Sequence, residues 1–194
     1  MKTFLAAILV LAFAAAAFGG GNPGVQAYIS FDQTGAGAPI HEFTATPYVA
    51  FNAYFVLGNL DAGMRTVTLA LSNPSVTCPG GFLQPGWTHL LPGPAAIGTW
   101  ETGITISSFD CMPGPTVPVG YLTLFPLVAS PCCLQILDHP EWPRWVVDCS
   151  DPGEVDYFCI LSHGSISGGE CPEGDCGSSS LEDATWGAIK AMHR

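Results

Sequence analysis

Positive charge is scarce in this chain. Its 194 residues carry five Lys and Arg against sixteen Asp and Glu, for a formal net charge of −11. Nucleic acids and anionic membrane surfaces both demand clustered cations, so neither is an expected partner. Long apolar runs are also missing beyond one near the start, Phe4 to Phe18, which is shorter than the roughly 20 residues that cross a bilayer. No nucleophile elbow is present: Gly164-Ser165-Ile166-Ser167-Gly168 places isoleucine where Gly-x-Ser-x-Gly needs serine. Zinc-ribbon and finger spacings, the EF-hand spacing and any fixed-period repeat are absent too.

What is present begins with Met1-Lys2, the apolar run and the small residues Ala14 to Ala17, the parts of a cleavable secretory signal. The expectation is a signal peptide over 1–17, export, and no membrane-spanning segment after cleavage. Only Arg65, Arg144, Lys190 and Arg194 then remain as cations. All eight cysteines lie downstream, at Cys78, Cys111, Cys132, Cys133, Cys149, Cys159, Cys171 and Cys176. An even number in an exported chain reads as up to four bridges, whose connectivity sequence alone leaves open. Neighbours on a strand point to opposite faces, so Cys132 and Cys133 are expected to serve different partners. Cys171 with Cys176 could close a small loop.

Glycine (23) and proline (17) are abundant, as in proteins built of strands joined by tight turns. Short apolar runs fall between turn dipeptides, at Val25 to Phe31, Tyr48 to Leu57, Met64 to Leu71, Gly103 to Phe109, Val117 to Val128, Leu134 to Leu137, Trp145 to Cys149 and Tyr157 to Leu161. In Met64–Leu71, Val67, Leu69 and Leu71 alternate with Thr66, Thr68 and Ala70, giving one buried and one wet side. Strands without intervening helices predict an all-β, antiparallel immunoglobulin-like sandwich over 22–164. Pro79 to Trp100, rich in glycine and proline, reads as an irregular excursion. Residues 165–180 read as a Gly/Ser/Glu-rich linker. The capping box Ser179-x-x-Glu182 opens a short C-terminal helix over 181–194, carrying Trp186 as a candidate contact.

The ending Ala184-Thr185-Trp186-Gly187-Ala188-Ile189-Lys190-Ala191-Met192-His193-Arg194 resembles the C-terminus of a group of uncharacterised exported bacterial proteins. The strand pattern of Tyr48 to Leu71 and Val117 to Phe125 resembles that of cohesin-like and other immunoglobulin-like sandwiches. That resemblance implies a two-layer β fold; fold likeness alone carries no function.

The densest acidic cluster is Asp148, Asp151, Glu154 and Asp156 around Pro152-Gly153. Hard cations want several convergent oxygens, so this is a candidate Ca²⁺ site, with a solvated loop as the plainer reading. Glu170, Glu173 and Asp175 form a second acidic stretch. A hydrolase would have to draw on Asp138, His139, Glu141, Asp156, Ser162, His163 or Ser165, but adjacent Ser162 and His163 face opposite ways on a strand. Trp142 beside Pro143 is a candidate exposed contact, whereas Trp145, alternating with Val147 and Cys149, is expected in the core. The expected protein is a secreted or cell-surface, disulfide-stabilised, non-catalytic β-sandwich with a binding or structural role, its partner an extracellular protein or glycan. A carbohydrate-binding module predicts a row of coplanar exposed aromatics, and an extracellular hydrolase predicts a convergent polar pocket.

Overall fold

The computed structural model describes residues 21–32, 39–78 and 81–176. The signal segment 1–17, the end of the linker, and the helix 181–194 with Trp186 lie outside the described residues. Among those described, no helix is long and apolar enough to cross a membrane.

The chain folds as an all-β sandwich. Its first sheet holds β1 (Gln26–Ser30), β3 (Phe51–Gly58), β5 (Phe82–His89), β8 (Thr116–Pro126) and β13 (Cys159–Ser162), in the order β13-β1-β3-β8-β5. The second runs β12-β11-β4-β7-β6, from β12 (Val155–Tyr157), β11 (Trp145–Val147), β4 (Met64–Leu71), β7 (Gly103–Met112) and β6 (Ala95–Thr99), with β10 (Ile136–Leu137) also on β4. A small third sheet orders β2 (Glu42–Phe43), β14 (Gly164–Ile166) and β9 (Cys132–Leu134) as β2-β14-β9. Pairing is antiparallel except for β1 with β13 and β2 with β14.

Period-two alternation decides which side chains face the space between the sheets. On β1 and β3, Ala27 opposes Leu57 and Ile29 opposes Phe55, all facing the space between the sheets, while Tyr28 opposes Val56 and Ser30 opposes Tyr54 on the other side. From the second sheet, Val67, Leu69, Leu71, Ile104 and Ile106 fill the same interior. Phe55, Ile29, Leu57, Leu69 and Ile106 are wholly buried, each worth about 1.5–3 kcal/mol of apolar transfer.

The segment expected to be irregular, Pro79 to Trp100, instead supplies β5 and β6. Edge strands and bulges tolerate proline and glycine, which is why composition misleads there. A single helical turn, α1 (Pro74–Thr77), precedes it, with Asn73 Oδ1 accepting from the Ser75 amide at 2.9 Å and Pro74 in the first turn. The body also runs past residue 164: Ile166 in β14 is wholly buried, so 165–176 is strand and tethered chain and not free linker.

All eight cysteines are paired, as Cys78–Cys132, Cys111–Cys149, Cys133–Cys171 and Cys159–Cys176. Cys132 and Cys133 serve different partners, as alternation requires. The Cys171–Cys176 loop does not form; those two residues fasten one segment to β9 and to β13. Complete pairing is the chemistry of an oxidising compartment.

Candidate binding surface

The outer sides of the two main sheets differ. On the first, Tyr28, Tyr54 and Val56 pack together with Tyr121 and are buried, with Tyr54 and Tyr121 ring centroids 5.3 Å apart. Asn52 and Thr123 continue that face through a 3.0 Å hydrogen bond.

The outer side of the second sheet is open. Register places Tyr157, Trp145, Thr68, Thr105 and Ile97 in one row across β12, β11, β4, β7 and β6, and Val155, Val147, Thr66, Ser107 and Ala95 in the next. Thr66 and Ser107 hydroxyls meet at 2.9 Å. Val155 and Tyr157 are exposed, Tyr157 at 61%. Trp145 and Val147 are half-buried, whereas Val146 is wholly buried. This corrects the core expectation for Trp145: the inward phase belongs to Val146 and Asp148. In Trp-Val-Val either phase is apolar, so alternation alone could not choose.

The upper end of this face is roofed by 138–144. Thr68 Oγ1 donates to the Pro143 carbonyl at 3.0 Å. Arg144 bridges Asp138 (Nε to Oδ1, 2.7 Å) and Asp175 (Nη2 to Oδ2, 2.7 Å), pinning the loop to the chain that follows β14. Burial pushes the Asp175 carboxyl up, but the Arg144 and Ile160 hydrogen bonds outweigh it and hold it below the ordinary value. Trp142 projects from this loop, 55% exposed.

In the acidic turn the two buried carboxylates are engaged by protein donors. Asp148 is wholly buried; its Oδ1 accepts from the Ser150 amide (3.0 Å), the Ser150 hydroxyl (2.5 Å) and the Glu154 amide (2.8 Å), and its Oδ2 from the Gly21 amide (3.0 Å). Burial raises its pKa, and these bonds together overcome that and lower it. Asp156 Oδ2 accepts from the Asn22 amide at 2.8 Å, yet burial, with the Asp148 charge adding to it, leaves its pKa raised. Asp151 and Glu154 are exposed. Among the described residues, the one trio of metal-ligand types within 4.8 Å of one another is Cys159, Asp175 and Cys176, two of which are joined in a disulfide. The turn binds backbone: with Asn22, whose side chain bonds Gly63 O and the Ala62 amide at 2.8 Å each, it seats the start of the body.

The residues a hydrolase would need are dispersed into structural bonds. His163 is buried, which lowers its pKa, and its Nδ1 accepts from the Ile136 amide at 3.0 Å. His139 Nδ1 accepts from the Glu141 amide, and the Ser165 hydroxyl donates to Gly169 O. Sequence reasoning missed one close pair, Ser162 Oγ with His41 Nδ1 at 2.6 Å. That nitrogen also lies 3.1 Å from the Ile29 carbonyl, which can only accept, so a proton on Nδ1 is shared with the backbone, and Nε2 stands 3.5 Å from the same hydroxyl. A separation of 121 residues left no local signal for the pair. Two surface depressions of about 550 and 540 Å³ each contain a single ionisable side chain, Asp61 in one and Glu170 in the other.

No family model matches the chain, and no curated protein sequence matches it. Among solved structures it is similar to cohesin modules. One is the seventh ScaB type I cohesin of Pseudobacteroides cellulosolvens (TM-score 0.49, 9% identity, 77% of this chain and 95% of that one). Another is a type I cohesin in complex with a dockerin from Clostridium thermocellum (0.47, 8%, 74% and 97%). A third is a type III cohesin module from a cell-surface anchoring scaffoldin of Ruminococcus flavefaciens (0.46, 12%, 80% and 91%).

Proposed function

We propose that the protein is an exported, non-catalytic module that binds an extracellular protein through the open side of its second sheet. The observation that carries this reading is the apolar pair of rows at the β12–β11 end, where Val155 and Tyr157 stand exposed beside Val147 and Trp145. Apolar and aromatic side chains grouped on one rigid face are what a partner's surface desolvates with profit. The hydroxyls of Thr66, Ser107 and Thr105 continue the same surface with groups that tolerate water and accept or donate hydrogen bonds.

A glycan is the weaker reading, because the exposed aromatics are dispersed. Tyr157 stands on β12, Trp142 on the loop 138–144, Phe109 near the end of β7, and Tyr48 beside Phe125 of the first sheet. Catalysis is disfavoured by the structural engagement of His163, His139, Ser165 and Asp148 described above.

The test is capture from the native secretome on immobilised full-length protein, in parallel with a glycan array. Tyr157→Ala combined with Val155→Asp is expected to abolish protein capture while leaving thermal unfolding within a few degrees of the parent. Undiminished capture by that variant, or selective glycan binding, defeats the proposal.

A further inference from the structure

The main sheets have four edges, and their treatment differs. The β13 edge is covered: the Cys176 amide donates to Ile160 O, Asp175 accepts from the Ile160 amide, and Cys176 is bonded to Cys159. The β5 edge is interrupted by a register shift between Leu83 and Gly86 that spans Pro85, a residue without an N–H. The β12 edge is only Val155–Tyr157, too short to template much pairing.

The β6 edge has none of these defences. Ala95–Thr99 is exposed at every position, and it pairs with β7 along its whole length. Among the described residues nothing pairs with its other side. From Leu90 to Trp100 the sequence holds no charged residue, in a chain of net charge −11. An uncharged, proline-free open edge is a template for another strand, and proteins ordinarily blunt such edges.

We propose that β6 pairs antiparallel with β6 of a second copy of this chain, about a two-fold axis through Ile97. Charge argues for this occupant: two acidic bodies meet at least cost where neither presents a carboxylate. Shape argues for it as well. Ile97 is flanked by Ala95 and Ala96 on one side and Gly98 and Thr99 on the other, so a two-fold places Ile97 against Ile97 and small residues against small ones. The contact is isologous and closed, because the two-fold uses the same β6 edge on both copies, the one edge of the two main sheets left undefended among the described residues. It leaves the β12–β11 end of the open face free, so partner binding and self-pairing succeed or fail separately.

Sedimentation equilibrium of the full exported chain is expected to show a concentration-dependent monomer–dimer equilibrium. More salt should tighten it, since the net negative charge on both copies opposes association. Ile97→Lys puts like charges opposite each other and should weaken the dimer about tenfold or more, although it lowers the net negative charge. Val76→Lys, at an exposed position on α1, should leave it unchanged. Ile97→Cys should give a dimer cross-linked through residue 97 under oxidising conditions, detected by non-reducing peptide mapping; this holds even if the lysine variant misfolds. A monomer at all concentrations, a dimer indifferent to Ile97→Lys, open-ended oligomers, or a monomer that takes a foreign extended peptide on β6 overturns the inference.

Discussion

The two outer sheet faces come from the same alternating pattern and end in opposite states. On the first sheet, rings close over one another: Tyr28, Tyr54 and Tyr121 turn a nominally wet side into a second small core. On the second, Thr66, Thr105 and Ser107 leave the middle of the sheet hydroxylated, and the apolar Val155 and Tyr157 remain in solvent. The first face gains its stability from aromatic packing. The second sheet is instead secured from its ends, by Cys111–Cys149 and by the Asp148 hydrogen bonds. A face fastened at its margins can stay uncovered, which is the condition for meeting a partner.

The largest effect should come from unfastening the open sheet. Replacing Cys111 and Cys149 together by Ala removes a cross-link between residues 38 apart and should cost about 4 kcal/mol on the chain-entropy account, read as a lower guanidinium midpoint. Next, Tyr54→Ala on the closed face should cost about 3 kcal/mol, since it opens a cavity among buried rings. Should Tyr54→Ala prove as mild as a surface change, the closed face is not a core and the contrast collapses.

Asp148→Ala should follow at about 2 kcal/mol, because the Gly21, Ser150 and Glu154 donors lose their acceptor. The same carboxylate gives an acid signature. Its folded pKa lies below the unfolded one, so its stabilisation is full above about 3.8 and is lost as pH falls through the folded value. His163, depressed by burial, adds an earlier loss that begins as pH drops below about 6.5, where the unfolded chain takes up a proton that the folded chain refuses. Asp156 runs the other way: its raised pKa means that protonation favours the folded state and partly offsets the loss. Urea melts from pH 8 to 3 should show both declines, and His163→Gln should remove the first. The smallest effect is expected for Tyr157→Ala, within about 0.5 kcal/mol, since its side chain is mostly in water.

Strand order in space was beyond sequence, but strand identity largely was not. Met64–Leu71 shows its inward set plainly, because threonine marks the other side. Trp145-Val146-Val147 offers no such mark; the informative residue is Asp148, and a buried aspartate reads as inward only once its amide donors are known. β5 and β6 were hidden by Pro85 inside one and by Pro92 and Pro94 just before the other, residues whose composition reads as loop. The candidate surface was legible only as single residues. Tyr157 and Trp145 become neighbours through β11–β12 pairing, and that register depends on the turn that Asp148 organises.

The double fastening of the chain after β14 also has a mechanical side. A pull exerted beyond Cys176 passes through sulfur to Cys159, on a strand that lies alongside β1, while Cys171 hands part of the load to Cys133. Tension applied beyond Cys176 would therefore be divided between two covalent points in different sheets before any single strand is loaded alone.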